Sequence, residues 1–225
     1  MLLIFDCDGV LIDSEIVASG VNAELLTEIG YEISVDEVIQ RFTGLTGEQI
    51  FAQVAEEMGV ALPADFAERN NVEIDRRLEA VKPIEGVQEM LDRLDYPRCV
   101  CSNSSSKRLK LSMTAAGVYD RFRPYIFSAP EVGTKRSKPA PDVYLHAAKE
   151  FQSAPGETIV IEDSMHGVAG AVAAGMRVIG FTGGGHSWPG HADALTEAGA
   201  ETVVRRLADV PATIDAMAAW SPADI

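Results

Sequence analysis

A strand with no neighbour opens this chain. Leu2 to Phe5 is short and wholly apolar, and it runs into Asp6-Cys7-Asp8-Gly9. Such a run reads as a strand buried on both faces and closed by a glycine turn. The next seventy or so residues offer it no partner. Val17, Val21, Leu25 and Ile29 recur every four residues before Gly30, a helix with its stop. Ser34-x-x-Glu37 and Thr46-x-x-Gln49 are capping-box patterns leading into Val38, Ile39 and Phe42, and into Ile50, Val54 and Met58. Pro63 is expected to open a fourth helix carrying Phe66, Ile74 and Leu78. Gly44 and Gly47 bracket an expected flexible tip between the second and third helices.

The partners of the first strand must therefore come from further along. After residue 84 the strand-like runs RCVCS (98–102), YIFS (125–128), TIVIED (158–163) and RVIGF (177–181) alternate with helical stretches near 105–116, 141–151, 165–174 and 191–198. That alternation predicts an α/β fold, a parallel sheet with helices on both faces. The expected organisation is one discontinuous domain, residues 1–13 and 84–225, with an all-helical domain inserted at 14–83 and hinges near 12–14 and 82–86.

A formal net charge of −15 disfavours nucleic acid, and the basic clusters around Lys107 and Lys135 are too short to reverse this. No apolar run approaches the roughly 18 residues of a membrane span. Met1 begins the first strand directly, without a basic leader, so a secretory signal is not expected. Cys7, Cys99 and Cys101 lie in or beside strands and lack zinc-pair spacing, which suits reduced thiols in a cytoplasmic protein. A monomer is expected.

Each strand ends in a polar residue: the first at Asp6 and Asp8, the second at Ser102 before Asn103, the later one at Glu162 and Asp163. Lys138 precedes Pro139 in a loop. Parallel strands deliver their carboxyl ends to one edge, so these separated segments should share a crevice. Four carboxylates with a lysine and a hydroxyl make an oxygen-rich, anionic pocket that suits Mg²⁺ rather than Zn²⁺. Ser102, Lys138 and backbone amides could hold phosphoryl oxygens. One Asp can attack phosphorus, and a second, two residues away, can protonate the leaving oxygen and later deprotonate water.

Asp6-x-Asp8-Gly9-Val10, Ser102-Asn103, Lys138-Pro139 and Glu162-Asp163-Ser164, with a helical insert after the first motif, resemble the haloacid dehalogenase-like superfamily, specifically its β-phosphoglucomutase-like phosphatase branch with a C1-type helical cap. The resemblance implies a Rossmann-like doubly wound core and Mg²⁺ held by the Asp6 carboxylate, the Asp8 main-chain carbonyl and Asp163, with Glu162 alongside as ligand or support. It implies that Asp6 is the nucleophile, Asp8 the general acid and base, Ser102 a phosphate donor, and Lys138 the link between phosphate and nucleophile. Asn103, Thr43 and Gly44 are expected to contact phosphate or substrate, and Arg41, Glu15 and Gln49 the leaving group. In that family an Asp at position 8 marks enzymes of phosphate esters. The mutase branch carries a cap histidine and a cap arginine where Ala18 and Gly47 stand here, so hydrolysis of a small sugar, sugar-acid or polyol phosphate is expected above mutase activity.

Other readings fit less well. An EF-hand would need glycine at the sixth position of its loop, not the fourth, and Val10 occupies a ligand slot. A receiver domain is half this length and has no helical insert, and a non-catalytic module would not need every motif residue intact. His166, His186 and His191 are expected as flexible-loop side chains without a metal role, and Trp188 and Trp220 as packing residues.

Overall fold

A computed structural model describes residues 1–43 and 45–219, so Gly44 and Trp220 lie outside the described residues. Among the described residues the sheet has six strands: β1 (Leu2–Phe5), β2 (Arg98–Ser102), β3 (Ile126–Ser128), β4 (Thr158–Glu162), β5 (Arg177–Phe181) and β6 (Thr202–Val204). Their order is β3-β2-β1-β4-β5-β6, and every neighbouring pair is parallel. The strand that lacks a local partner thus takes the centre, with the sequence order reversing direction on either side of it. This is the Rossmann-type topology, whose crevice opens beyond the carboxyl ends at the reversal.

Side-chain alternation builds three layers. Leu3, Phe5, Val100, Ile159, Ile161, Ile179 and Phe181 face one side. There they meet α5 (Val87–Asp92), α6 (Ser106–Ala115) and α10 (Val210–Ala219). Leu2, Ile4, Cys99, Cys101, Val160 and Val178 face the other. They pack on α7 (Asp142–Glu150), α8 (Met165–Ala173) and α9 (His191–Glu197). All three cysteines are free and buried.

Four helices fall between β1 and α5: α1 (Ser14–Glu28), α2 (Val35–Phe42), α3 (Gly47–Met58) and α4 (Phe66–Leu78). Both expected capping boxes form, Ser34 with Glu37 and Thr46 with Gln49. Two details differ from the sequence reading. The fourth helix starts at Phe66, after Asp65, three residues beyond Pro63. Gly47 is the first residue of α3, because Thr46 caps it. The two links to this insert run side by side: Asp13 N–H donates to Lys82 O at 3.1 Å and Ile84 N–H to Leu11 O at 3.0 Å. Elements unread in the sequence are α5, α10 and β6, of which β6 has only three residues. Among the described residues, no helix is long and apolar enough to cross a membrane.

Inside the insert, Asn70 Nδ2 of α4 donates to Asn22 Oδ1 of α1 at 2.8 Å, and both residues are buried. Asn22→Ala leaves the Asn70 amide buried without its acceptor, a loss of about 1–3 kcal/mol. Urea unfolding should show it, and an Asn22→Ala/Asn70→Ala double variant should lose less than the two single losses summed.

Candidate active site

The carboxyl ends of β1, β2 and β4 bring the polar residues together. Asp6, one residue past β1, is buried and its amide bonds to Ile161 O of β4 at 2.9 Å. The Lys138 ammonium, also buried, donates to Asp6 Oδ1 at 2.6 Å, to Glu162 Oε1 at 2.6 Å and to Cys101 O at 2.8 Å. Asn103, exposed at the end of β2, spends its side chain on this loop: its Oδ1 accepts from the Lys138 amide at 2.8 Å. Burial alone would lower the Lys138 pKa, but Asp6 and Glu162 outweigh it and hold the ammonium well above its ordinary range.

Asp8 lies at the same mouth, held by three hydroxyls. Ser102 and Ser104 donate to its Oδ2 at 3.0 and 2.8 Å, and Ser14 to its Oδ1 at 2.7 Å. Ser105 is the N-cap of α6, its Oγ accepting from the Arg108 amide. The serine run therefore serves both as cap and as carboxylate anchor. Ser14 carries no signal in the sequence, while Ser104 falls in the run Ser102-Asn103-Ser104-Ser105, which reads as a helix N-cap or a phosphate site and not as an anchor for Asp8. For Ser104, its place two residues after Ser102 was the available signal.

Glu162 is fully committed to protein donors. Besides Lys138, Tyr144 Oη donates to its Oε1 at 3.1 Å, while the Ser164 amide and hydroxyl reach Oε2 at 2.9 and 3.0 Å. A Cβ on Gly167 would come within 1.8 Å of Oε1, so only glycine leaves room for this carboxylate. Asp163 differs. Its Oδ2 lies 2.8 Å from His186 Nε2, and its main-chain carbonyl lies 2.7 Å from His191 Nε2. These histidines correct the sequence reading: both are 1 % exposed, not flexible-loop side chains. Trp188 does pack, stacked on His191 with ring centroids 3.9 Å apart. His166 is half-buried on the cleft wall.

Asp6, Glu162 and Asp163 each offer an oxygen within 4.8 Å of the others. Burial pushes the Asp6 and Asp163 carboxyls up, against the pull of Lys138 on the first and His186 on the second. In both, removal from water is the larger effect, and it disfavours the charged form. Among the described residues no donor reaches the second oxygen of Asp6. A hard divalent cation fits an all-oxygen set of this kind.

A cleft of about 840 Å³ joins this cluster to the insert. From the insert come Glu15, Thr43, Leu45, Thr46, Gly47, Glu48, Asn71 and Asp75. Thr43 lines it with its hydroxyl bonded to Ile39 O at 2.6 Å. Gly44 lies outside the described residues. Of the expected leaving-group contacts, only Glu15 is on the cleft wall. Arg41 is paired with Glu57 at 2.8 Å, and the Gln49 side chain caps α3. Arg108 of α6 reaches across to the insert, with Nε 2.7 Å from Asp75 Oδ1 and Nη2 3.1 Å from Asn71 Oδ1.

The family model of haloacid dehalogenase-like hydrolases matches residues 3–181. The chain belongs to this family. A 6-phosphogluconate phosphatase of Escherichia coli is 32% identical over 187 residues, which are 82% of this chain and 84% of the relative. The structure of a haloacid dehalogenase-like protein of unknown function from Agrobacterium tumefaciens superposes with a TM-score of 0.92 at 53% identity, covering 96% of this chain and 98% of that one. A haloacid dehalogenase family hydrolase from Deinococcus radiodurans, solved with phosphate and sodium, gives 0.83 at 32% identity, covering 98% and 97%. Like those proteins, this haloacid dehalogenase-like hydrolase has a Rossmann-type sheet, and it is an enzyme.

Glu15 gives the cleft a pH signature. Burial raises its carboxyl from 4.5 to about 7, with the Asp8 charge adding to the rise. The folded state therefore keeps this proton longer than the unfolded chain, and stability falls as pH climbs from 4.5 to 7. Glu15→Gln removes that penalty. In metal-free buffer its melting temperature should exceed that of the unsubstituted protein at pH 8, with the gap closing at pH 4. A gap equal at both pH values would refute the assignment.

Proposed function

We propose that this hydrolase is a Mg²⁺-dependent phosphatase acting on a small phosphorylated metabolite: a sugar, sugar-acid or polyol phosphate. The observation that carries the reading is the buried contact of Lys138 with Asp6, beside an Asp8 anchored by three hydroxyls at the same cleft. One carboxylate stands with a cation that can also meet a phosphoryl oxygen, and a second stands within reach of a leaving group. The phosphatase relative and the phosphate-bound neighbour support the same class.

In this reading Asp6, Asp163 and the Asp8 main-chain carbonyl would hold the metal, and Glu162, whose oxygens are already taken, positions Lys138. The bound cation would offset the carboxylate repulsion and draw charge from the phosphoryl group. The Asp6 carboxylate attacks phosphorus while the bond to the leaving oxygen breaks, and Asp8 gives that oxygen its proton. Asp8 then takes a proton from water, the water oxygen attacks the acyl phosphate, and inorganic phosphate leaves Asp6 free. Ser102 and Lys138, turning donors that here meet Asp8 and Asp6, would hold the phosphoryl oxygens through both steps. Residues 14–83 act as the cap that selects the leaving group, with Thr43 on the cleft wall.

Among the described cleft residues the insert supplies acids, hydroxyls, an amide and apolar surface, but no Lys, Arg or His. A mutase needs a cation there to grip a second phosphate, so this wall favours hydrolysis. Its hydroxyls and carboxylates suit a polyhydroxylated leaving group, with Arg108 the cation able to meet a sugar acid.

Asp6→Asn and Asp8→Ala should each lower phosphate release by about 10³-fold or more, because both steps need both groups. Circular dichroism should show both variants folded. A screen of phosphorylated metabolites, read as inorganic phosphate, tests the class. EDTA should abolish turnover and excess Mg²⁺ restore it. Substantial residual turnover in the Asp6 variant would end the nucleophile assignment.

A further inference from the structure

The glycine-rich loop after β5, residues 182–190, and His191, the first residue of α9, have no part in the chemistry above, yet they pack two buried histidines against one residue of the proposed metal set. His186 Nε2 lies 2.8 Å from Asp163 Oδ2 as a close charge contact, and neither ring nitrogen has a hydrogen bond of good geometry among the described residues. Asp163 is therefore the polar group this ring is placed to meet. His191 sits on the Asp163 carbonyl, and the Ser187 hydroxyl, 2.8 Å from its Nδ1, orients the ring while Trp188 stacks on it.

The backbone has been cleared for this arrangement. At Gly9, where φ is +83°, a Cβ would lie 1.9 Å from Asp163 Oδ2 and 2.7 Å from His186 Cε1. At Gly184 it would lie 2.7 Å from two atoms of the His186 ring and 3.0 Å from Gly9 O. The glycine after the two aspartates and a glycine 175 positions later thus make one slot. It holds His186 Nε2 within 2.8 Å of Asp163 Oδ2. A filler side chain would not need a nitrogen at the carboxylate.

We propose that His186 and His191 are positioning residues for Asp163: they fix its carboxylate and its carbonyl and so set the affinity of the divalent-cation site. The inference rests on the metal site proposed above. Groups that orient a ligating carboxylate typically change metal affinity 10–100-fold when removed.

The test is calorimetric titration of Mg²⁺ into the full-length, metal-free protein, without substrate. His186→Leu fills the slot but has no donor, and should weaken Mg²⁺ binding by about 10-fold or more. His186→Gln, which can place an amide nitrogen where Nε2 stands, should bind within about threefold of the unsubstituted protein. The Mg²⁺ concentration for half-maximal phosphate release should move by the same factors, with the melting temperature of the metal-free leucine and glutamine variants alike. Should the leucine variant not fold, His186→Asn, whose amide is one methylene shorter, replaces it in the comparison. Leucine (or asparagine) binding as tightly as histidine, or glutamine losing as much as leucine, would overturn the proposal while leaving the phosphatase reading intact. No Mg²⁺ binding by the unsubstituted protein would overturn the metal site itself and this inference with it.

Discussion

Lys138 puts an ammonium group where three strands end, and much of the site is arranged around it. Its partners are Asp6 beyond β1, the Cys101 carbonyl of β2 and Glu162 at the end of β4. A buried charge costs several kcal/mol unless its partners are close and well aligned. Here the ammonium has three acceptors within 2.8 Å. Taking it away would leave Asp6 and Glu162 buried without the cation they share. Asn103 holds the main chain of the same lysine, so one loop is fixed both by its side chain and by its backbone.

Close packing of carboxylates requires backbone without side chains. Gly167 gives Glu162 its room at the start of α8, and Gly9 gives Asp163 and His186 theirs. The two sides of the cleft differ in kind as a result. The sheet side is buried and charged, while the insert side presents Glu15, Thr43, Thr46 and Glu48 from helix ends and the segment between α2 and α3. Chemistry common to a family of hydrolases suits the first side, and selection of a leaving group suits the second.

The strands that could be read from the chain are those that show a short apolar run: β1, β2, β3, β4 and β5. β6 is Thr202–Val204, half-exposed at the sheet edge, and too short for any pattern. Helix α10 has Pro211 at its second position, where proline is tolerated but reads locally as a break. The capping boxes were legible because their hydrogen bonds are made within four residues. His186 and His191 were misjudged for the opposite reason: a glycine-rich loop looks flexible, and their burial comes from Asp163, Gly9 and Trp188.

The sequence alone determined the fold class, the insertion of helices after the first strand, and the set of strand-end residues worth watching. Those follow from apolar periodicity and from the rule that parallel strands share a carboxyl edge. Only the tertiary structure decided which oxygen meets which cation. Asp6 and Lys138 are 132 positions apart, and no local pattern encodes that one bond or the commitment of Glu162 to Lys138, Tyr144 and Ser164. The seating of His186 on Asp163 likewise depends on the close approach of two backbones. Spacing along a chain reports neighbours in a helix or strand, whereas a site is assembled from ends that meet only after the sheet has formed.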